Sequence, residues 1–430
     1  MHLLYNLGIS LYTFAIKTIA IFNKKAKLWV EGRKVNYELL FTNKKSLNSK
    51  LAWFHCASLG EFEQGRPVIE RFRAEFPDYQ ILLTFFSPSG YEVRKNYAGA
   101  DYIVYLPADT AQNARKFIET FKPDIVFFVK YEFWRNYLEE LHRRQIPTIL
   151  FSAIFRENQV FFKWYGGFFR QTVSMLSHIL VQNNKSAKLL QSIDYQNITI
   201  AGDTRFDRVK QIADARKNIE IAERFKNNQE VFIVGSAWDS DMQVLIPFMN
   251  HHYLNLNPSP VERDFPFSLK NKHIRFIIAP HEIHHDEIES WRKQIQAKSI
   301  RFSEVKDTTQ LTDYQVLIID NIGMLSSLYQ YAEYAYIGGS FGKGLHNILE
   351  AATFGLPLFF GDKAYHKFQE ANDLLALGGA FAISNTTDLK HRFDTVKSNQ
   401  PTFGLICKNY VLEHIGATEQ VIDISKKFIL

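Results

Sequence analysis

Four glycines, a histidine, an asparagine and an acid crowd into Gly338–Ala352, GGSFGKGLHNILEAA, directly after the apolar run Tyr334–Ile337. Glycine lets a backbone turn sharply and approach a ligand closely. The spacing predicts a strand, a Gly-rich turn and a helix whose first turns carry His346, Asn347 and Glu350. Unpaired amides and the positive pole at a helix N-terminus suit a phosphate. Asn347 and Glu350, three residues apart, share a face from which the acid can accept from ribose hydroxyls. The plain alternative is a strand-to-helix turn with both side chains merely solvated. Two familiar phosphate loops are excluded: Lys343 is followed by Gly344 instead of Ser or Thr, and the order G-x-G-x-x-G is absent.

Other reactive side chains also follow apolar runs. Ala57-Ser-Leu-Gly-Glu61 comes after Leu51–Cys56, with Ser58 and Gly60 forming a turn and Glu61 opening a helix. The helix dipole is expected to hold that carboxylate ionised, which suits a general base; the alternative is a capping acid without chemistry. Phe86-Ser-Pro-Ser-Gly90 is a second small-residue turn, carrying Ser89 and Gly90. Lys130, Tyr131, Glu132, Phe133, Trp134, Arg135 and Asn136 mix charge with aromatics at a strand end. That mixture fits a sugar or lipid-headgroup pocket, or else packing by Phe133 and Trp134. In Gly202–Asp207, Arg205 is a candidate cation and Asp203 a cap. Gly235 and Ser236, Pro280 and His281, and Asn321 to Gly323 occupy equivalent places in the second half.

Two motifs are decoys. His281-Glu-Ile-His-His285 satisfies H-E-x-x-H, but Pro280 puts His281 at a turn, outside the helix that a zinc protease needs, and no third ligand is recognisable. Asp239-Ser-Asp241 imitates a D-x-D metal clamp and is read as first-turn capping. No metal is assigned.

The elements that must position these residues are repeated βα units. Strands are predicted at Leu51–Cys56, Gln80–Phe85, Tyr102–Tyr105, Asp124–Val129, Thr148–Phe151, Ile179–Val181 and Ile198–Ile200. They resume at Val231–Val234, Ile274–Ile278, Val316–Ile319, Tyr334–Ile337 and Leu358–Phe360. Helices between them imply parallel sheets covered on both faces, an α/β fold of two Rossmann-like domains facing a cleft. Ligands bind beyond the carboxyl ends of such strands, where the candidate residues cluster. The domains are read as 36–208 and 209–430, with the polar helical segment Gly202–Asn228 as junction and the Pro-bearing Asn255–Lys272 as an inserted loop. The last helix is allowed to pack back on the first domain.

Residues 1–35 form a separate element. His2, Asn6, Ser10, Thr13 and Lys17 recur at steps of three and four, a polar stripe on an otherwise apolar helix. Lys24, Lys25, Lys27, Arg33 and Lys34 follow. The charge comes after the apolar run, the reverse of a signal peptide. The expected state is a helix lying in the membrane interface beside anionic headgroups; packing on another domain is the alternative. A net charge of +6 on 430 residues is too diffuse for nucleic-acid binding, and two distant cysteines, Cys56 and Cys407, exclude a disulfide framework. The 37 phenylalanines, mostly single within the predicted elements, are read as core.

Taken together, the apolar N-terminal segment, Ser58-Leu-Gly-Glu61, Ser87-Pro-Ser-Gly90, Glu132-Phe-Trp134, Gly202–Asp207, Gly338–Ser340 and His346-Asn-Ile-Leu-Glu350 resemble the Kdo transferases. The similarity covers nearly the whole chain. That family moves 3-deoxy-D-manno-oct-2-ulosonic acid (Kdo) from CMP-Kdo onto a lipid A precursor. The resemblance implies a GT-B-type glycosyltransferase fold, an inverting transfer in lipopolysaccharide biosynthesis and no metal or other cofactor. It implies CMP-Kdo, a lipid A precursor and the cytoplasmic face of a Gram-negative inner membrane as partners.

By the same resemblance Glu61 is the general base, and Arg205, Lys130 and Glu132 complete the catalytic set. Donor contacts fall on Ser236, Pro280, His281, Ile322, Gly323, Met324, Gly339, Ser340, Asn347, Ile348, Leu349 and Glu350. The acceptor side takes Ser58, Gly60, Ser89, Gly90 and Trp134. The chain departs from the family pattern at Lys130, where an acid is usual, and after Pro280, where His281 follows without the usual Arg. Ser152-Ala-Ile-Phe-Arg156 replaces a usual Asn-x-Arg-x-Ser run. Lys343 is a candidate substitute for the missing phosphate cation. The competing functions are a nucleotide-sugar epimerase or isomerase on the same scaffold, and a non-catalytic nucleotide-binding membrane protein.

Overall fold

The computed structural model describes residues 1–34, 50–256 and 274–429. The described chain divides into two compact units, residues 1–208 with 414–430 and residues 209–413. Nearly all of the Pro-bearing 255–272 segment lies outside the described residues.

Unit 1 carries a seven-stranded sheet of β1 (Lys50–His55), β2 (Tyr79–Phe85), β3 (Tyr102–Tyr105), β4 (Ile125–Val129), β5 (Thr148–Ala153), β6 (His178–Val181) and β7 (Ile198–Ile200). The spatial order is β3-β2-β1-β4-β5-β6-β7, and every pairing is parallel. Side chains alternate across the sheet, so adjacent aromatics feed opposite cores. Trp53 meets Phe128 edge-on at 5.5 Å on one face, while Phe54 stacks on Phe127 at 4.4 Å on the other. The second face is closed by the helix Leu59–Glu75 and by the C-terminal helix Ala417–Ile429, whose Val421 and Ile422 share a core with Phe62 and Phe72. Asp207 fixes the entry to the C-terminal helix by accepting from Gly416 N at 2.6 Å and Thr418 N at 2.7 Å.

Unit 2 repeats the plan with β8 (Glu230–Ala237), β9 (Ile274–Pro280), β10 (Ser299–Arg301), β11 (Val316–Ile318), β12 (Tyr334–Ile337), β13 (Leu358–Gly361) and β14 (Ala380–Ile383). Its order is β10-β11-β9-β8-β12-β13-β14, again all parallel. Phe232, Phe276, Tyr334, Phe359 and Phe393 fill its core. Two strands, β10 and β14, were not anticipated. Both are short edge strands: Ser299–Arg301 gives no continuous apolar run, whereas Ala380–Ile383 is apolar throughout and was passed over in the sequence.

In both sheets the order reverses at the first strand: β1 lies between β2 and β4, and β8 lies between β9 and β12. Loops leaving adjacent strands in opposite directions open a crevice there. The β1 and β4 loops carry Glu61 and Glu132; the β8 and β12 loops carry Trp238 and the Gly-rich stretch.

The first helix, His2–Ile19, docks on the rest of unit 1 through half-buried Tyr5, Asn6, Ile9, Thr13 and Ile16, while His2, Ser10 and Lys17 of its polar stripe stay exposed. Tyr5 Oη donates to Asp109 Oδ2 at 2.5 Å, Asn136 Nδ2 donates to Asn6 Oδ1 at 3.0 Å, and His2 Nε2 lies 3.3 Å from Glu139. Leu3, Leu7, Leu11 and Phe14 are left outside, between 55% and 85% exposed, an apolar face without cover among the described residues. Among the described residues no helix is long and apolar enough to cross a membrane.

Candidate active site

At the carboxyl end of β1, Ser58 caps the helix Leu59–Glu75 in a reciprocal box. Its hydroxyl accepts from Glu61 N at 3.5 Å, and Glu61 Oε2 accepts from Ser58 N at 3.2 Å. Such a box supplies two otherwise orphaned amides with acceptors. Burial nevertheless dominates the Glu61 carboxyl, and the charge of Glu132 adds to it, pushing Glu61 up to about 8 against the opposing amides and the Lys130 cation. Glu61 is therefore not held ionised by the helix dipole as the sequence suggests. Desolvation and a second carboxylate outweigh the helix start, so the group holds a proton at neutral pH.

Glu132 is buried at the end of β4, where two N–H groups hold it. The His55 imidazole meets it at 3.2 Å through Nε2, and the Trp134 indole N–H donates to the same oxygen. His55 Nδ1 pairs with Thr84 Oγ1 at 2.8 Å, which also accepts from Trp53 Nε1 at 2.8 Å. A polar chain thus runs from the core to the strand end. Trp134 is an orienting group here: its indole N–H holds Glu132 and its ring packs on Phe86 at 4.7 Å.

Lys130 follows β4 in a left-handed conformation, with φ +68, and Ser152 at the end of β5 has φ +50. Non-glycine residues there carry backbone strain that concentrates at functional loops. Ser152 Oγ pairs with Thr204 Oγ1 at 2.9 Å, and Thr204 Oγ1 donates to Gln64 O at 2.7 Å. Asp203 is more than a cap. Buried, it accepts from Gln64 Nε2, Gln182 Nε2, Arg205 N and Arg205 Nε, each at about 3 Å. This ties Arg205 to the helix bearing Glu61, since Gln64 lies one turn beyond that acid. The Tyr131 hydroxyl is pushed up by burial, with Arg156, Asp203 and Arg205 all close enough to act on it.

The β2 loop joins the same edge. Phe86 N and Ser87 N donate to Ala57 O, and the Ser87 hydroxyl caps Ser89 N at 3.3 Å. Gly90 is buried, with the Phe85 ring where a side chain would go; Gly60 is exposed beside open space. Ser58, Glu61, Lys130, Glu132, Trp134 and Arg205 are thus gathered at one end of the unit 1 sheet.

In unit 2 the Gly-rich stretch differs from its expected form. The helix is a single turn, Leu349–Ala352, so His346 and Asn347 precede it and no long dipole backs a phosphate. Asn347 Oδ1 accepts from Leu349 N at 3.2 Å, and its amide donates to Glu350 Oε1 at 3.1 Å. The anchor of the loop is Asp241, fully buried. It accepts from Gly339 N at 2.9 Å, Trp238 N at 3.0 Å and Tyr336 Oη at 2.8 Å, and burial raises its carboxyl. First-turn capping undersells this residue, while Asp239 accepts from Trp291 Nε1 at 3.0 Å and from Gln243 Nε2 at 3.4 Å. Gly338 has Ser236 O where a Cβ would sit, at 2.1 Å, and Gly339 has φ +93.

Trp238, His281 and His346 form a stack that sequence reasoning missed. His281, next to Pro280 at the end of β9, lies 4.5 Å from the Trp238 ring and 4.2 Å from the His346 ring. Trp238 Nε1 donates to His346 Nε2 at 2.9 Å. An indole only donates, so that imidazole nitrogen carries no proton. Burial and the neighbouring His281 bring His346 down to about 4. Lys343 Nζ stands 5.3 Å over the Trp238 ring. Because the helix after β9 starts at His285, His281 and His285 share no helix face. Ser236 has φ +53 at the end of β8, and Ser340 is buried with its hydroxyl unpartnered among the described residues. Ile322, Gly323 and Met324 form a separate exposed loop after β11, and Ile348 and Leu349 are buried below Asn347.

A family model described as 3-deoxy-D-manno-octulosonic-acid transferase (kdotransferase) matches residues 33–208. The chain is 23% identical over 389 residues to a 3-deoxy-D-manno-octulosonic acid transferase of Haemophilus influenzae, covering 88% of this chain and 87% of that one. With the Rickettsia bellii protein of the same name it shares 24% over 400 residues, 91% and 90% of the two chains. Among solved structures, UDP-GlcNAc 2-epimerase from Neisseria meningitidis bound to UDP-GlcNAc superposes with TM-score 0.58 at 15% identity, over 88% of this chain and all of that one. A glycosyltransferase from Rickettsia africae gives TM-score 0.53 at 11% identity, over 89% and 99%. At these identities the structural likeness speaks for the fold.

Proposed function

We propose that this chain, which belongs to the Kdo transferase family of glycosyltransferases, moves Kdo from CMP-Kdo to a sugar hydroxyl of a lipid A precursor. The acceptor is a lipid IVA-like glucosamine disaccharide presented at the cytoplasmic face of a Gram-negative inner membrane. The observation that carries this reading is Glu61, a carboxyl raised to about 8 at a crevice where strand order reverses. Its conjugate base is strong enough to take a proton from an attacking alcohol.

The step balances as an inverting displacement. The acceptor oxygen bonds to the anomeric carbon of Kdo while its proton passes to Glu61. The bond from that carbon to the phosphate oxygen breaks, and its electron pair leaves with CMP. The sugar passes through an oxocarbenium-like state. Arg205, whose orientation Asp203 fixes, offsets negative charge as it moves onto the leaving group, a role suited to a preorganised cation. Lys130 and Glu132 set how readily Glu61 gives up its proton, since one lowers and the other raises it.

On the donor side, Gly339 and Ser340 are assigned to the phosphate, Asn347 and Glu350 to the ribose, and Ser236, Pro280 and His281 to the walls. Ile322 to Met324 complete the nucleotide contacts, and Ile348 and Leu349, buried below Asn347, support that residue from beneath. Lys343, over the Trp238 ring, is assigned to the phosphate charge. The scheme uses no metal, because the leaving group is a monophosphate whose charge these groups meet. Ser58, Gly60, Ser89, Gly90 and Trp134 are assigned to the acceptor side, and the apolar face of the first helix to the membrane interface. Incubation with CMP-Kdo and a lipid A precursor tests the reading: CMP release must accompany a lipid heavier by Kdo, and release without a heavier lipid contradicts it.

A further inference from the structure

Behind Glu132, at the fully buried end of β1, lies His55. The Phe128 ring meets it edge-on at 5.7 Å and the Trp134 ring at 6.1 Å. These rings fix the plane of the imidazole and leave its nitrogens to two partners, Thr84 at Nδ1 and Glu132 at Nε2.

Hydrogen counting locates the imidazole proton. Trp53 Nε1 only donates, so Thr84 Oγ1 is the acceptor of that 2.8 Å bond. The Thr84 hydroxyl has a single proton of its own and two acceptors to choose between, His55 Nδ1 at 2.8 Å and Phe54 O at 3.5 Å. The first is an ordinary hydrogen-bond length and the second is too long for a hydroxyl. Thr84 therefore donates to Nδ1. A neutral imidazole accepts at one nitrogen and donates at the other, so Nε2 bears the proton and directs it at Glu132 Oε2, 3.2 Å away. Trp53, Thr84 and His55 thus donate in one direction, toward a carboxylate oxygen that also accepts from the Trp134 indole. Hydrogen bonds aligned head to tail strengthen one another.

The carboxylate held in this way stands beside Glu61. β1 and β4 are neighbours in the sheet, with His55 opposite Phe128, so the loops leaving them run side by side. Glu61 is faced there by the Glu132 charge, by Lys130 from the same loop, and by the Ala57 and Ser58 amides of its own turn. The buried Cys56 thiol feels both carboxyls and Glu63. Glu63 is paired with Arg94 at 2.8 Å and Arg208 at 3.3 Å, and Asp203 with Arg205 at 2.9 Å. Among the described residues, Glu132 is the charged group hydrogen-bonded to His55. We propose that His55 is a positioning residue for the transfer: with its proton fixed on Nε2 by Thr84, it holds Glu132 beside Glu61 as an anion, and so governs when Glu61 can take the acceptor's proton. The inference rests on the reading of Glu61 as the general base.

His55→Asn and His55→Gln separate the two nitrogens. The Asn amide reaches no farther than Nδ1, keeping a partner for Thr84 and leaving Glu132 without this donor. The longer Gln amide places an N–H where Nε2 stands. With CMP-Kdo and a lipid A precursor, kcat/KM is followed against pH. His55→Asn is expected to move the rising limb to lower pH by on the order of one pH unit, because Glu132 short of a donor gives up its charge more readily. His55→Gln is expected to keep the wild-type limb. In a Glu132→Gln background His55→Asn should move it no further, since the effect passes through Glu132. A limb unmoved by His55→Asn, moved equally by both substitutions, or moved again in the Glu132→Gln background overturns the proposal. A merely structural His55 would lower rate or stability without this pattern. Should circular dichroism show His55→Asn unfolded, His55→Phe fills the same ring-lined slot with no donor and answers the same question.

Melting temperatures separate the proposal from the reading it rests on, because they follow the Glu61 proton without any reaction. The gain from Glu61→Gln at about pH 9 should be smaller in a His55→Asn background than in the wild type. If that difference appears although the wild type shows no limb, Glu61 is not the base and the positioning by His55 stands. If the difference is absent, the proposal fails whether or not a limb is found.

Discussion

Glu61 and Glu132 share one strand-end niche, and the charge of Glu132 adds to burial in lifting the Glu61 carboxyl to about 8. Glu132 is itself held by His55 and Trp134, so its position does not depend on substrate. A base tuned by a second carboxylate has a pH dependence that can be read.

In the free enzyme, kcat/KM is expected to rise with pH along a limb near 8 as Glu61 loses its proton. Glu132→Gln removes the charge that raises Glu61 and moves the limb to lower pH. Lys130→Ala removes a cation that lowers it and moves the limb up. A pH series of initial rates on the three proteins checks the direction of both shifts.

The same carboxyl links stability to pH. Folded Glu61 keeps its proton to about 8, whereas the unfolded chain releases it near the ordinary value of about 4.3. Between those limits the folded state binds more protons, so the contribution is complete at low pH and is lost as pH rises through about 8. Glu61→Gln, which still offers an acceptor to Ser58 N, is expected to melt above the wild type at about pH 9, with the gap closing toward about pH 5. Melting curves at the two pH values decide it.

Arg205 is placed by Asp203, and Asp203 by Gln64 and Gln182. Gln64→Leu leaves a buried carboxylate short of two donor contacts at a cost of roughly 1–3 kcal/mol, and it frees Arg205. Denaturant unfolding should show the loss. Transfer should fall further than stability alone explains, with kcat lowered more than CMP affinity.

In unit 2 the indole of Trp238 occupies the nitrogen at which His346 would be protonated. CMP binding by the wild type should therefore stay insensitive to His346 protonation until about pH 4. Trp238→Phe keeps a ring for His281 but releases that nitrogen, so His346 titrates nearer neutrality and CMP binding tightens on acidification. Calorimetric titration with CMP over a pH series distinguishes the two.

Much of this was legible in the sequence, and the remainder failed for identifiable reasons. The βα rhythm put Glu61, Glu132, Arg205, Ser236 and the Gly-rich stretch at strand ends because central parallel strands read as continuous apolar runs. The edge strand β10 gives no such run, whereas β14 gives one of four residues that went unread. The protonation of Glu61 depends on desolvation and on Glu132, 71 positions away (132 − 61), which no local rule contains. Asp203 looked like a cap because its partner Gln64 lies 139 residues earlier. Asp241 looked like a cap for the same reason, with Gly339 98 residues later. Left-handed Lys130, Ser152 and Ser236 carry no compositional signal, since none is a glycine.

The role of Glu61 is tested most directly by single-turnover transfer with Glu61→Gln, using CMP-Kdo and a lipid A precursor and following the lipid by mass. The account predicts a folded protein that binds CMP as the wild type does and transfers Kdo at least about a hundredfold more slowly, the lower range for losing a general base. Transfer at the wild-type rate would contradict it.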